Sequence, residues 1–112
     1  MEKESSYQHI IEAFECYFKS MKEGRYYDAH EDLELLWFPQ RFEKKNEVLI
    51  WKGFINAAVS CELFKRGKIE ASEKAWSTYL KYKVLIEQEV SLSKQLYVTI
   101  SEFVDTLGGR NV

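Results

Sequence analysis

The sequence predicts an all-α fold: a compact bundle of about five helices in which the central helix, over 46–66, is buried. Three observations predict it. Apolar residues recur every three or four positions through five successive segments. Four of the five glycines, all but Gly53, and the lone proline, Pro39, fall between segments and act as stops. Short apolar runs such as Val48 to Trp51 are continued by neighbours that keep the helical period, so no strand pattern survives.

The first segment runs from Ser5 or Ser6 to Lys22, with Ile10, Ile11, Phe14, Tyr17, Phe18 and Met21 at helical spacing. Gly24 closes it as a C-terminal glycine cap. The second starts near Arg25 or Tyr26 and ends at Phe38, because the residue before a proline avoids the α region. Its apolar positions are Tyr26, Ala29, Leu33, Leu36 and Trp37. The third begins between Phe42 and Asn46 and ends at Arg66, stopped by Gly67. Apolar residues surround its middle on all sides, the mark of a buried helix. Gly53, Ala57 and Ser60 give it a small-residue surface, which predicts a close crossing with the second helix at Trp37. The fourth segment reaches from Lys68 or Ile69 to Glu87–Glu89, with Trp76, Tyr79, Leu80 and Lys83 as its inner stripe. The fifth starts at Ser91 or Ser93, both good N-caps. Leu96, Ile100, Phe103 and Leu107 form its apolar stripe before Gly108-Gly109.

Length and composition set the class. A chain of 112 residues reads as a single helical domain, 1–112, able to bury a core without disulfides or metals. Aromatics make up 15%, so Tyr, Phe and Trp supply much of that core. Net charge is −2 with both signs interspersed and no basic stripe, which argues against a nucleic-acid partner. The polar start, Met1 to Ser6, lacks the character of a signal peptide, and the longest nearly uncharged run, Gly53 to Cys61, is too short to span a bilayer. Cys16 and Cys61 both lie in apolar helical patterns and read as buried thiols. These features predict a soluble, cytoplasmic protein with no membrane partner.

One constellation suggests chemistry. On a wheel of about 100° per residue, His30 and Glu34 of the second helix fall inside the apolar arc. Asp32 and Leu35 fall on the outer side, and Glu31 sits at the boundary. An ionisable group on an apolar face must be paired or hydrogen-bonded, and residues four apart can meet. His30, Glu31, Glu34 and Trp37, with Asn56 of the central helix as partner, form the candidate polar cluster. Either it braces the core or it lines a small-molecule pocket.

His30-Glu31-Asp32-Leu33-Glu34 also has part of the H-E-x-x-H pattern, in which ligands at i and i+4 bind zinc and the intervening Glu is the general base. Here the second ligand position is Glu34. A metal-dependent hydrolase using His30 and Glu34 as ligands, with Glu31 as base, needs a third ligand. Glu62, Glu31 and His9 are the candidates. Glu62 either reaches this cluster or is solvated beside Lys65 and Arg66. A third reading is an interaction or self-association module that presents surplus aromatics, Trp51, Tyr82 or Tyr97, to a partner or to a second copy.

Gly24-x-Tyr26-Tyr27-x-Ala29-His30-Glu31-x-x-Glu34-x-x-Trp37, then Trp51-Lys52-Gly53-Phe54-Ile55-Asn56-x-Ala58, then Arg66-Gly67, resembles the bacterial and archaeal domain of unknown function 309. The resemblance covers residues 24 to about 67 and continues more weakly through Ala71 to Leu80. It implies a small all-helical bundle, and no defined activity, cofactor or substrate. His30, Glu31, Glu34, Trp37 and Gly53 are the motif positions that carry over. Lys52 and Asn56 stand where the family pattern has Gln, and Glu62 lies where it has His or aromatics.

Overall fold

A computed structural model describes residues 2–108, with side chains described from residue 7 onward. The described residues form five α-helices and no strand: α1 (Glu2–Lys22), α2 (Tyr26–Trp37), α3 (Asn46–Lys65), α4 (Ile69–Lys83) and α5 (Lys94–Leu107). Two short 3₁₀ turns, Phe38–Gln40 and Val84–Gln88, extend α2 and α4. The bundle measures 45 × 24 × 24 Å, with a radius of gyration of 13.3 Å.

The helix stops follow from backbone chemistry. Gly24 and Gly67 have φ of 75° and 79°, a region costly for side chains with a Cβ. At Gly24 the amide of Arg25 donates to Ser20 O and that of Gly24 to Met21 O. At Gly67 the amide of Lys68 donates to Leu63 O and that of Gly67 to Phe64 O. Both are Schellman closures, and they turn the chain back so that α2 packs on α1 and α4 on α3. Pro39 ends α2 differently: it sits inside the first 3₁₀ turn, two residues past the helix.

α3 is the centre, as its all-round apolar character predicts. Ten of its residues are buried, and α2 and α4 flank it. The core is largely aromatic. Phe14 meets Phe54 edge-on at 5.4 Å and Tyr97 at 5.2 Å, and Phe54 contacts Tyr17 and Tyr79. Such pairs contribute about 0.5–1.5 kcal/mol each beyond area burial. The Tyr17 hydroxyl donates to Phe54 O at 2.8 Å, satisfying a buried polar group across α1 and α3.

Four expectations are corrected by packing. Gly53 does not face α2 and Trp37. A Cβ there would lie 3.1 Å from Tyr82 Cβ and 3.6 Å from Tyr79 O, so the small-residue surface serves α4. Cys16 is exposed, because the apolar arc of α1 centres on Phe14 and Tyr17, while Cys61 is buried. Leu80 is exposed, and the inner face of α4 is instead Ser72, Ala75 and Tyr79. Trp51 and Tyr97 are not surplus surface aromatics: both are buried, and Trp51 Nε1 donates to the Tyr97 hydroxyl at 2.8 Å. In α5 the buried side is Tyr97, Ile100, Val104 and Leu107, with Leu96 and Phe103 at its margin.

Candidate functional site

α2 buries Tyr26, Ala29 and Leu33 and rolls the next positions on its wheel to the edge of the core. His30 and Glu34 therefore lie at the margin of the apolar arc and not at its centre. Their side chains are 23% and 46% exposed, with His30 Nε2 3.1 Å from Glu34 Oε2. A carboxylate only accepts, so Nε2 carries the proton and donates. The pair is closed within α2 and does not itself tie α2 to another helix.

His30 lines one side of a solvent-open concavity of about 200 Å³ between α2 and the C-terminal half of α3, whereas Glu34 borders the outer surface of α2. Tyr26, Tyr27 and His30 come from α2; Val59, Glu62, Leu63 and Arg66 come from α3 and its cap. Across from His30, Arg66 Nε donates to Glu62 Oε2 at 2.8 Å. The Tyr27 ring lies 5.8 Å from the imidazole. Burial, assisted by Cys61 and Glu62 nearby, pushes the Tyr26 phenol above its ordinary pKa, so it stays a neutral donor. The concavity thus has a largely apolar lining with the His30 imidazole on one side and the Glu62–Arg66 ion pair on the other. Glu62 belongs to it while also pairing with Arg66, so the two readings of that residue hold together.

The other predicted cluster members lie elsewhere. Glu31 is exposed and borders the outer surface of α2 with Asp32, Leu35 and Phe38. Trp37 is half-buried and packs against the core, edge-on to Phe38. Asn56 is not a partner of His30 or Glu34: its Nδ2 donates to Lys52 O one turn back on α3, at 2.9 Å. His9 lines the α1–α2 groove near Cys16 and Gln40 and an end pocket with Lys45 and Glu47. Among the described residues, no group of three or more His, Cys, Asp or Glu side chains is disposed to hold a metal ion. The ligand set that the hydrolase reading requires is thus not assembled around His30 and Glu34.

Sequence reasoning missed a second polar constellation. The Tyr97 hydroxyl, which accepts from Trp51, donates to Glu47 Oε2, and Ser91 Oγ donates to the same carboxylate oxygen at 3.2 Å. Burial first, and then Glu47, raise the Tyr97 pKa far above its ordinary value. These residues are separated by 44 to 50 positions, so no local spacing announces them. The available signal was indirect: a buried Tyr or Trp needs a polar partner, and Glu47 is an acid in the first turn of an otherwise apolar helix.

With the geometry in place, comparison with known proteins is informative on one point. The domain of unknown function DUF309 matches residues 14–75, more than half of the chain. The chain belongs to the DUF309 family. The matched segment runs from Phe14 in α1 to Ala75 in α4, so it contains both sides of the α2–α3 concavity and excludes α5. No curated protein and no solved structure matches the chain. No helix among the described residues is long and apolar enough to cross a membrane.

Proposed function

We propose that this DUF309 chain is a non-catalytic binding domain whose α2–α3 concavity takes a small zwitterionic ligand of amino-acid size. The observation that carries the reading is the placement of His30 and the Glu62–Arg66 ion pair together in one open concavity. A ligand carboxylate replaces Glu62 as the partner of Arg66, in the planar geometry that guanidinium favours. A ligand ammonium is accepted by the Glu62 carboxylate that Arg66 releases, and a short apolar part lies against Val59 and Leu63. At about 200 Å³ the space is smaller than most drug-sized sites, which fits a ligand of a few heavy atoms.

Binding is favoured over hydrolysis because the lining contains no Ser, Thr or Cys nucleophile and the charged groups are already paired with one another. It is favoured over a purely bracing role because the His30–Glu34 hydrogen bond is internal to α2. The same proposal makes residues 1–112 one domain working in the cytoplasm. An exposed thiol at Cys16 supports a reducing compartment.

The test is a methyl-resolved NMR titration with glycine, leucine, lysine and glutamate in turn. Saturable shifts confined to Val59 and Leu63, abolished by Arg66→Ala and by Glu62→Gln, are expected for at least one amino acid. Absence of shifts at those methyls at millimolar ligand, or shifts that persist in both variants, overturns the reading.

A further inference from the structure

The outer surface of α2, opposite this concavity, carries a different feature. Leu35 is 83% exposed, Phe38 53% and Phe42 84%. They are connected: Leu35 and Phe38 line one groove, and the Arg41 guanidinium stacks on both Phe38, at 3.6 Å, and Phe42, at 4.5 Å. Leu35 and Asp32 also form the ridge between that groove and a second one, which lies between α1 and α2. Large apolar side chains grouped in this way mark an interaction surface, unlike singly scattered ones.

The charge around the patch selects the partner. Glu12, Glu31, Asp32 and Glu34 line the two grooves, and no Lys or Arg does. Arg41 is held at the far edge on the aromatic rings. A second copy is a poor occupant, because a two-fold contact brings the same patch against itself and sets these carboxylates facing their own copies. We propose that this face docks a basic amphipathic helix of another protein, whose apolar stripe covers Leu35, Phe38 and Phe42 and whose lysines or arginines meet the four carboxylates. This is a helix-in-groove mode, read through anchors at i, i+3/i+4 and i+7. Twelve residues of α2 present about 18 Å of length, enough for three turns of such a helix.

The test uses two labelled synthetic helical peptides with one leucine stripe, the remaining positions being lysine in one and glutamate in the other. Fluorescence anisotropy at low salt is expected to show binding of the lysine peptide alone, weakening as salt screens the contact. Leu35→Asp is expected to weaken it about tenfold or more, the effect of removing an anchor. Leu35 is exposed, so this variant folds, which circular dichroism checks. A second variant, Glu12→Lys with Glu31→Lys, tests the charge term without touching the apolar anchors and is expected to weaken binding several-fold. Equal binding of both peptides, or undiminished binding by both variants, overturns the proposal. So does a wild-type dimer in sedimentation velocity that Leu35→Asp dissociates, which reassigns the face to a second copy. Neither readout depends on the α2–α3 concavity.

Discussion

Ser60 and Ser72 exchange hydrogen bonds across the α3–α4 interface: the hydroxyl of each donates to the backbone carbonyl of the other, at 2.7 and 2.8 Å. Both residues are fully buried, and their hydroxyl oxygens are 3.0 Å apart. Two helices approach this closely only where side chains are small. The pair therefore fixes the depth of packing as well as satisfying two buried hydroxyls.

Each acceptor is a main-chain carbonyl that survives truncation of its own side chain. Ser60→Ala and Ser72→Ala are expected to cost about 1 kcal/mol apiece in urea denaturation. The double variant is expected to show coupling below about 0.5 kcal/mol, despite the contact between the two residues. Strong coupling in the cycle means that the hydroxyls bond chiefly to each other.

Gly53 sits two turns away on the same interface. Alanine gains about 1 kcal/mol of helix propensity over glycine. Against that, its Cβ meets Tyr82 Cβ at 3.1 Å, an atom that moves only if α4 moves. Overpacking of this kind costs about 1–3 kcal/mol. Gly53→Ala is expected to lower stability by about 1 kcal/mol net, and Gly53→Leu by more, measured by thermal unfolding.

How much of this was legible in the sequence depends on the range of the interaction. The stops at Gly24 and Gly67 and the buried character of α3 were readable because each is a local property: a positive-φ glycine, or apolar residues on all sides of one helix. That Gly53 permits a close approach was also readable. Which helix approaches was not, because several neighbours compete for one small-residue surface. The wheel put His30 and Glu34 on the apolar side, correctly as neighbours of the core, but an arc of three buried residues, Tyr26, Ala29 and Leu33, is narrower than the arc of apolar residue types. Asn56 looked like a cross-helix partner only until its own backbone, at Lys52 O, supplied an acceptor. Glu47, Trp51 and Tyr97 meet through tertiary structure alone.

Tyr17, Tyr79 and Tyr97 are buried phenols, and desolvation is the leading cause that raises each pKa above the ordinary value near 10. The folded state keeps these protons after the unfolded chain has lost them. Their contribution is intact below pH 10 and falls as pH rises beyond it, by about 1.4 kcal/mol per tyrosine per unit. The unfolding free energy from urea denaturation is expected to hold to about pH 10 and then drop, by about 4 kcal/mol for the three at pH 11. Tyr97→Phe is expected to shallow that decline by one proton, and also to lower stability at pH 7 by about 1–3 kcal/mol, since Trp51 Nε1 loses its acceptor. An unchanged alkaline slope in that variant argues against retention of the Tyr97 proton.

Breaking the His30–Glu34 pair is expected to matter little for folding. Both groups reach water and the bond lies along one helix surface. Glu34→Ala is expected to cost less than about 1 kcal/mol, the range of exposed pairs. A loss of 2 kcal/mol or more in chemical denaturation means that the pair braces the core after all.

The tie from Tyr97 to Trp51 and Glu47 also bears on what a minimal unit of this family contains. Tyr97, Ile100 and Val104 complete the same hydrophobic core as Phe14, Phe54 and Tyr79, yet they lie beyond the segment that matches the family. A fragment cut at Ala75 leaves Phe14 and Phe54 without the Tyr97 ring, and the Trp51 indole without its acceptor. α5 is also the last helix among the described residues, and its contacts close long loops, the slower kind to form. The recognisable part of the sequence is therefore expected not to fold by itself, and α5 completes its core.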